Sequence, residues 1–333
     1  MQKSLSFGII VIIFFVFFVF FQPVVHAETT ANSLRVGYVP LMSQLPLVVS
    51  YDNDRLGYSS VKVTLVKFRS FNTLEAAFRV GAIDVADLPL PVVFSIAEDG
   101  IEVRILGQCH SGGSMLEGVG FNNLSDFRGK IIGVPGLRST ENLEVVQLLS
   151  QTKLRYGLDY KTIKVPFNTI LQNLEAGRIN AMYFPEPYGS MAEKSHLAMP
   201  VENRQNVFSQ GITSVLVTRP DTLKKDNQEA VNEWIRSLAE ACVFIEKDIN
   251  TLEAQQTAII QEPYFGFDRA LVGSSLRSRR GGIRFSFAIP DKNTLQAYLQ
   301  QALDLKILLQ PIDMDVLLSF NVFDWGKMKE TSQ

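Results

Sequence analysis

Residues 71–91 read FNTLEAAFRVGAIDVADLPLP, and residues 167–187 read FNTILQNLEAGRINAMYFPEP. Both stretches run from an Asn through a Gly nine positions later to a short apolar segment and a Pro-x-Pro, and the offset from residue 71 to residue 167 is 96. Gly37 falls on Gly133 at the same offset, each at the end of an apolar run. Unrelated strand–helix–strand units can share Asn and Gly at such positions. That alternative does not explain why one constant offset is kept over residues 37–91. We therefore predict two units built on the same plan.

The pattern within each unit is that of a strand, a helix and a second strand. Residues 34–39 and 61–68 alternate in the manner of strands. In the first unit Asn72 is the predicted helix cap, Glu75 stands at the capping-box position and Gly81 ends the helix. Both units are expected to start their helices with the same cap. This order of strand, helix and strand predicts an α/β fold with parallel strands and covering helices.

The carboxyl ends of the predicted strands indicate where a ligand would bind. In open parallel sheets, ligands lie beyond these ends, where helix N-termini offer unpaired N–H groups. The corresponding loops are residues 40–44 and 88–91 in the first unit, and 135–140 and 184–188 in the second. If the two units face each other, these four loops line one cleft and hold a ligand from both sides.

The composition excludes several classes of protein. The chain has 333 residues, of which 46% are hydrophobic, so it can form one large or two ordinary domains with a core. With a net charge of -2, the chain lacks the broad basic surface of a nucleic-acid-binding protein. The sequence contains neither GxSxG nor a Gly-Lys-Ser/Thr phosphate loop, and we expect no enzyme activity, cofactor or metal. Cys109 and Cys242 are expected to be separate buried residues, although export would permit a disulfide.

The first 27 residues have the layout of an export signal. Lys3 precedes an apolar run over residues 5–21, and Val25-His26-Ala27 offers small residues at the positions that a signal peptidase reads. We predict cleavage after this segment and a periplasmic location. Retention of the run as a membrane anchor is the alternative, because its length approaches a bilayer span.

Four segments of the chain together resemble a known family. They are LRVGYVP (34–40), GAIDVA (81–86), LSDFRGKIIGVP (124–135) and FPEPYG (184–189). In order and spacing they are similar to periplasmic solute-binding proteins of ABC importers, in the nitrate, sulfonate, taurine, bicarbonate and thiamine-precursor group. Residues 289–320 look like the closing helices of that family.

The resemblance implies a type II two-lobed fold, in which each lobe is a mostly parallel sheet flanked by helices and two crossovers join the lobes. Lobe one would comprise residues 33–115 and 218–330, and lobe two residues 119–214. The implied function is to capture a small anionic or zwitterionic solute, such as a sulfonate, nitrate or taurine, and to deliver it to an ABC permease in the membrane. The alternatives are a thiamine-pyrimidine precursor as ligand, or a sensor that acts through a separate membrane receptor. We expect a monomer.

Arg138-Ser139-Thr140 gives the strongest local signal for ligand contact. These residues follow a predicted strand and open a helix, so two hydroxyls and a guanidinium suit an oxyanion. A capped helix with a solvated Arg is the alternative. Glu186, which lies between two prolines, either receives an ammonium group or bonds neighbouring backbone N–H groups. The full set of predicted ligand-binding residues is Ser43, Gln44, Leu90, His110, Ser111, Gly112, Arg138, Ser139, Thr140, Glu186 and Tyr188.

Overall fold

The structure, a computed structural model, describes residues 33–121, 123–201, 211–224 and 227–319. The predicted signal peptide, residues 1–27, lies outside the described residues. Across the described ranges we find no helix whose length and hydropathy would let it span a bilayer.

Two β-sheets form the framework of the protein. The first contains β1 (Ser33–Tyr38), β2 (Lys62–Lys67), β3 (Val85–Pro89), β4 (Arg104–Ser111), β10 (Ser214–Thr218) and β11 (Arg284–Ala288). The second contains β5 (Ser114–Gly118), β6 (Ile131–Val134), β7 (Lys161–Lys164), β8 (Ala181–Pro185) and β9 (Met199–Pro200). Their spatial orders are β11-β4-β10-β3-β1-β2 and β7-β6-β8-β5-β9.

Helices cover the faces of both sheets, and one buried apolar cluster continues from the first sheet to the second through Phe78, Leu143 and Phe184. On the opposite face of the first sheet, a second cluster contains Trp234 of the long helix that follows β10. The helices of the described residues are α1 (Leu45–Asp54), α2 (Phe71–Arg79), α3 (Leu90–Glu98), α4 (Thr140–Ser150), α5 (Ile170–Glu175), α6 (Tyr188–Lys194), α7 (Gln228–Thr251), α8 (Gln255–Phe265), α9 (Arg269–Arg277), α10 (Lys292–Asp304) and α11 (Met314–Leu318).

The predicted α/β fold with two helix-flanked sheets is confirmed, and each sheet combines parallel and antiparallel pairs. β1 pairs in parallel with β2 and β3, and β6 pairs in parallel with β7 and β8. β10 and β5 run antiparallel to β3 and β8. The chain crosses between the sheets after β4 and again after β9, and each strand entered by a crossover runs against the parallel strands beside it. The sheets are therefore parallel only in the three strands of each repeated unit.

The internal repeat is visible in individual hydrogen bonds. The Asp84 carboxylate accepts a bond of 2.8 Å from the backbone N–H of Arg35, and the Asn180 side chain accepts one of 3.0 Å from the backbone N–H of Ile131. Both partners of the second pair lie at the predicted offset from those of the first. β3 and β8 also share this offset in their pairing with β1 and β6.

The repeat departs from the prediction at the start of its helices. α2 begins after Ser70, whose hydroxyl accepts from the backbone N–H of Thr73, so Asn72 is not the cap. The equivalent helical segment in the second unit follows Pro166 and has no side-chain cap. The expectation of a shared Asn cap is therefore wrong, because Ser70, one residue before the helix, already satisfies the exposed N–H group.

Gly37 allows α2 to approach β1 closely. A Cβ atom added to this glycine would lie 2.4 Å from Leu74 Cδ1 and 2.5 Å from Ile83 Cδ1. The corresponding trio in the second sheet, at the same offset, is Gly133, Ile170 and Ile179. Each glycine is thus covered by apolar side chains of its own unit, and this packing fixes the helix above its strand.

We predict that Gly37→Ala lowers the free energy of unfolding by about 1 to 3 kcal/mol, because the new methyl group overpacks a closed core. Gly57→Ala is the control, since its Cβ would lie 3.7 Å from the nearest atom, the Asp54 carbonyl oxygen. Chemical denaturation would measure both variants. Equal stability of the two variants would contradict the assigned role of Gly37.

Candidate functional site

The loops that follow the parallel strands meet at a seam between the two sheets. The Phe71 and Phe167 rings, one from each unit, lie 6.0 Å apart, and Phe167 stacks on Tyr188 at 5.1 Å. The backbone N–H of Met42 donates to the carbonyl of Glu186 at 3.0 Å across the same seam. The predicted convergence of the strand ends is therefore present in the structure.

A small cavity of about 10 Å³ lies within this seam. Both sheets and both crossovers contribute to its wall, and Glu141 is the one ionisable side chain among the described residues that line it. The residues around it are Leu41, Ser43, Phe71, Pro89, Gly112, Ser114, Glu141, Pro185, Thr213 and Ser214.

A groove of about 230 Å³ adjoins the cavity, with Phe71 and Pro89 common to both. Arg138 and Lys164 contribute positive charge to the groove, and Glu75 contributes negative charge. The Lys164 side chain is exposed and forms no ion pair with the part of the chain that is described. Since Arg138 pairs with Glu75, the described mouth of the seam has one unpaired positive charge, Lys164, whereas its interior contains a carboxylate.

The three residues predicted to bind an oxyanion have partners within the protein. Arg138 donates to the Ser95 hydroxyl at 2.7 Å and to Glu75 Oε2 at 3.2 Å, and both partners belong to the other unit. The Ser139 hydroxyl caps α4, and the Thr140 hydroxyl donates to the carbonyl of Thr213. These side chains close the seam and cap the helix, and the expected free guanidinium is engaged in an ion pair.

Glu141 is the residue of the site that the sequence reasoning missed. It is 5% exposed in the first turn of α4, and its Oε1 accepts a bond of 3.1 Å from the Ser114 hydroxyl. Its Oε2 is buried without a well-aligned hydrogen bond to the described residues. Burial raises the pKa of Glu141, although hydrogen bonds from its own N–H, from Ser139 and from Ser114 act in the opposite direction. Its position directly after Arg138-Ser139-Thr140 was the available signal.

His110 lies beneath the cavity wall. Its Nε2 shares a hydrogen bond with the hydroxyl of Thr213, and its Nδ1 has no partner among the described residues. Burial lowers the pKa of His110 to about 4, so the imidazole is neutral near pH 7. Ser111 pairs with β11 outside the cavity wall, whereas Gly112 is part of that wall.

Of the remaining predicted residues of the first half, one lines the cavity and two hold the surrounding structure in place. Ser43 lines the cavity. The Gln44 side chain accepts from the backbone N–H of Val39 at 2.7 Å and donates to the carbonyl of Asp87 at 3.3 Å, so it braces the loop after β1. Leu90 is fully buried in the apolar cluster, and its neighbour Pro89 forms the wall instead.

Glu186 adopts the second of its two predicted roles. Its Oε2 accepts from the backbone N–H of Ser190 at 3.2 Å and from the Ser275 hydroxyl at 3.0 Å. The carboxylate therefore joins the start of α6 to α9. Tyr188 stacks on Phe167, as described above, and neither residue lines the cavity. Cys109 and Cys242 are both free and buried, as expected from the sequence.

Comparison with known proteins places the chain in a family. A model described as the NMT1-like family matches residues 27–260. The chain belongs to the NMT1-like family. It is also similar to the bicarbonate transport ATP-binding protein CmpC of Synechococcus elongatus, with 23% identity over 245 residues, which cover 67% of this chain and 37% of CmpC. The chain spans about a third of the length of the curated relatives it matches.

Several solved structures have the same fold as this chain. The ligand-binding component of an ABC-type import system from Staphylococcus aureus, with zinc bound, has a TM-score of 0.77 and 18% identity, and the match covers 88% of this chain and 98% of that one. The periplasmic nitrate-binding protein NrtA of Synechocystis has a TM-score of 0.73 and 13% identity, covering 90% of this chain and 88% of that one. In the described ranges of this chain, no three His, Cys, Asp or Glu side chains are grouped to hold a metal ion.

We predict that the His110 imidazole titrates with a pKa of about 4 in the folded protein, below its ordinary value of 6.5. Its contribution to stability is therefore lost as the pH falls from about 6.5 to about 4, because the unfolded chain binds the proton first. NMR titration of the imidazole resonances would measure this pKa, with the exposed His196 replaced in His196→Gln to assign the signals. A pKa of 6.5 or higher for His110 would contradict the described burial.

Proposed function

We propose that this NMT1-like chain is the extracytoplasmic solute-binding component of an ABC import system, which captures a small solute between two lobes and presents it to a membrane permease. The cavity at the seam carries the proposal, because residues from both sheets and both crossovers surround it. A ligand held in this position contacts both halves of the molecule, and its binding energy favours their closure.

The proposed lobes correspond to the two sheets. The first would comprise the strands up to β4 together with β10 and β11, and the second β5 to β9. At the first crossover, Gly112 has a φ of 63° and an added Cβ would lie 2.7 Å from the carbonyl oxygen of Gly281. The two lobes would turn about this crossover and the second one, as a monomer.

The closed seam supports a binding cycle that includes opening. The cavity of about 10 Å³ is far smaller than a typical small-molecule pocket of roughly 300 Å³ or more. A solute therefore enters only when the Arg138–Glu75 ion pair and the Phe71–Phe167 contact separate. Lys164 at the mouth suits the acidic group of an anionic or zwitterionic solute, which is the predicted ligand class.

We propose binding without chemical conversion. His110 and Thr213 are placed as a base and a hydroxyl, but the His110 Nδ1 has no carboxylate partner among the described residues to orient the ring. A pKa of about 4 also makes the imidazole a weak base at neutral pH. This pair therefore supports a structural role in the wall of the cavity.

A thermal-shift and calorimetric screen tests the proposal, with nitrate, bicarbonate, taurine, ethanesulfonate and 4-aminopyrimidine as probes. We expect at least one probe to bind, and a ligand at 100 times its Kd to stabilise the fold by about 2.7 kcal/mol. Ser114→Leu should weaken that binding at least tenfold by filling the cavity, whereas Ser150→Leu, exposed on α4, should not. Binding that survives Ser114→Leu unchanged would contradict the proposed site.

A further inference from the structure

The N-terminus of α4 is the place where an oxyanion would be expected to bind, because the first N–H groups of a helix are unpaired and its dipole favours negative charge. In this protein the Glu141 carboxylate occupies that position. Its Oε1 accepts a hydrogen bond of 3.1 Å from the Ser114 hydroxyl, and its own backbone N–H and Ser139 favour its charged form. The protein thus places a carboxyl group of its own at the helix terminus, where an external anion would otherwise bind.

Among the described residues around the cavity, no cation pairs with this carboxylate. Glu141 is 5% exposed, and its Oε2 has no well-aligned hydrogen bond to the described residues. Arg138 lines the neighbouring groove and is paired with Glu75 at 3.2 Å. His110 is neutral near pH 7. A buried carboxylate is costly unless it is paired, so a positively charged or N–H-donating ligand group would relieve this cost.

We propose that the captured solute carries a protonated amine, or a comparable N–H donor, which binds the Glu141 carboxylate in the seam cavity. This inference rests on the proposed solute-binding function and narrows its ligand class. The ammonium group points into the interior and donates to Oε2, and any acidic group of the solute lies toward Lys164 and Arg138 at the mouth. A bare oxyanion meets a carboxylate in the interior and is rejected.

Pairs of probes that differ only in the amine isolate this recognition. The pairs are taurine with ethanesulfonate, β-alanine with propionate, and 4-aminopyrimidine with pyrimidine. Calorimetry on the full folded chain should show the amine-bearing member of at least one pair binding about 10- to 100-fold more tightly, the range of a charge-assisted hydrogen bond.

Three variants connect that preference to Glu141. Glu141→Gln should reduce the preference to less than threefold, and Glu141→Asp, which keeps the charge, should retain it. Glu144→Gln is the matched control. Glu144 is buried in the same helix, accepts a hydrogen bond of 3.3 Å from the Tyr298 hydroxyl, and does not line the cavity. Glu144→Gln should therefore keep the preference. Circular dichroism establishes that each variant is folded.

The outcomes separate this inference from the proposed function. Tight binding of ethanesulfonate, propionate or pyrimidine without gain from the amine overturns the inference alone, because a solute is still captured. An unchanged preference in Glu141→Gln, or an equal loss in Glu144→Gln, also overturns it. If only nitrate or bicarbonate binds, the inference is overturned and the proposed function stands. If no member of any pair binds and neither nitrate nor bicarbonate binds, both are contradicted.

Discussion

Both units depend on close packing of helix side chains over a glycine, Gly37 in the first and Gly133 in the second. Because these residues lack a Cβ, apolar side chains of each unit lie directly on the parallel strands. The strands of both units therefore end in equivalent positions, and the loops that follow them meet at one seam. The chemistry of that seam is a consequence of two nearly identical packing arrangements in a single chain.

Several polar groups of the seam are satisfied by partners elsewhere in the described chain. Arg138 pairs with Glu75, and Thr140 donates to the carbonyl of Thr213. Such contacts hold the two sheets together and must be broken before a solute enters. Glu141 is different, since one of its carboxylate oxygens lacks a well-aligned partner among the described residues. We therefore assign closure of the seam to Arg138 and Thr140, and ligand recognition to Glu141.

The sequence predicted the fold better than the site, for a physical reason. The spacing of hydrophobic residues and glycines is a local property of the sequence, so the offset of 96 between the units could be predicted. The hydrogen bonds of Asp84 and Asn180 show the same offset in the structure. The partner of Arg138 is 63 positions away in the other unit, and sequence spacing gives no information about such a contact. The same holds for Glu186, whose carboxylate is bound by Ser275. Helix-terminal chemistry suggested an oxyanion site, but the burial of Glu141 at that terminus depends on how the two sheets meet.

The distance between the two proposed lobes is the most direct test of the account. Leu56 and Leu158 are exposed, one in each unit, and can carry spin labels after Leu56→Cys and Leu158→Cys, while the native cysteines are buried. Double electron–electron resonance would give the distribution of distances between the two labels, with and without a solute that stabilises the fold. We expect a broad distribution without solute that narrows and shifts at saturation. One unchanged distribution under both conditions would contradict the capture of a solute by closure of the seam.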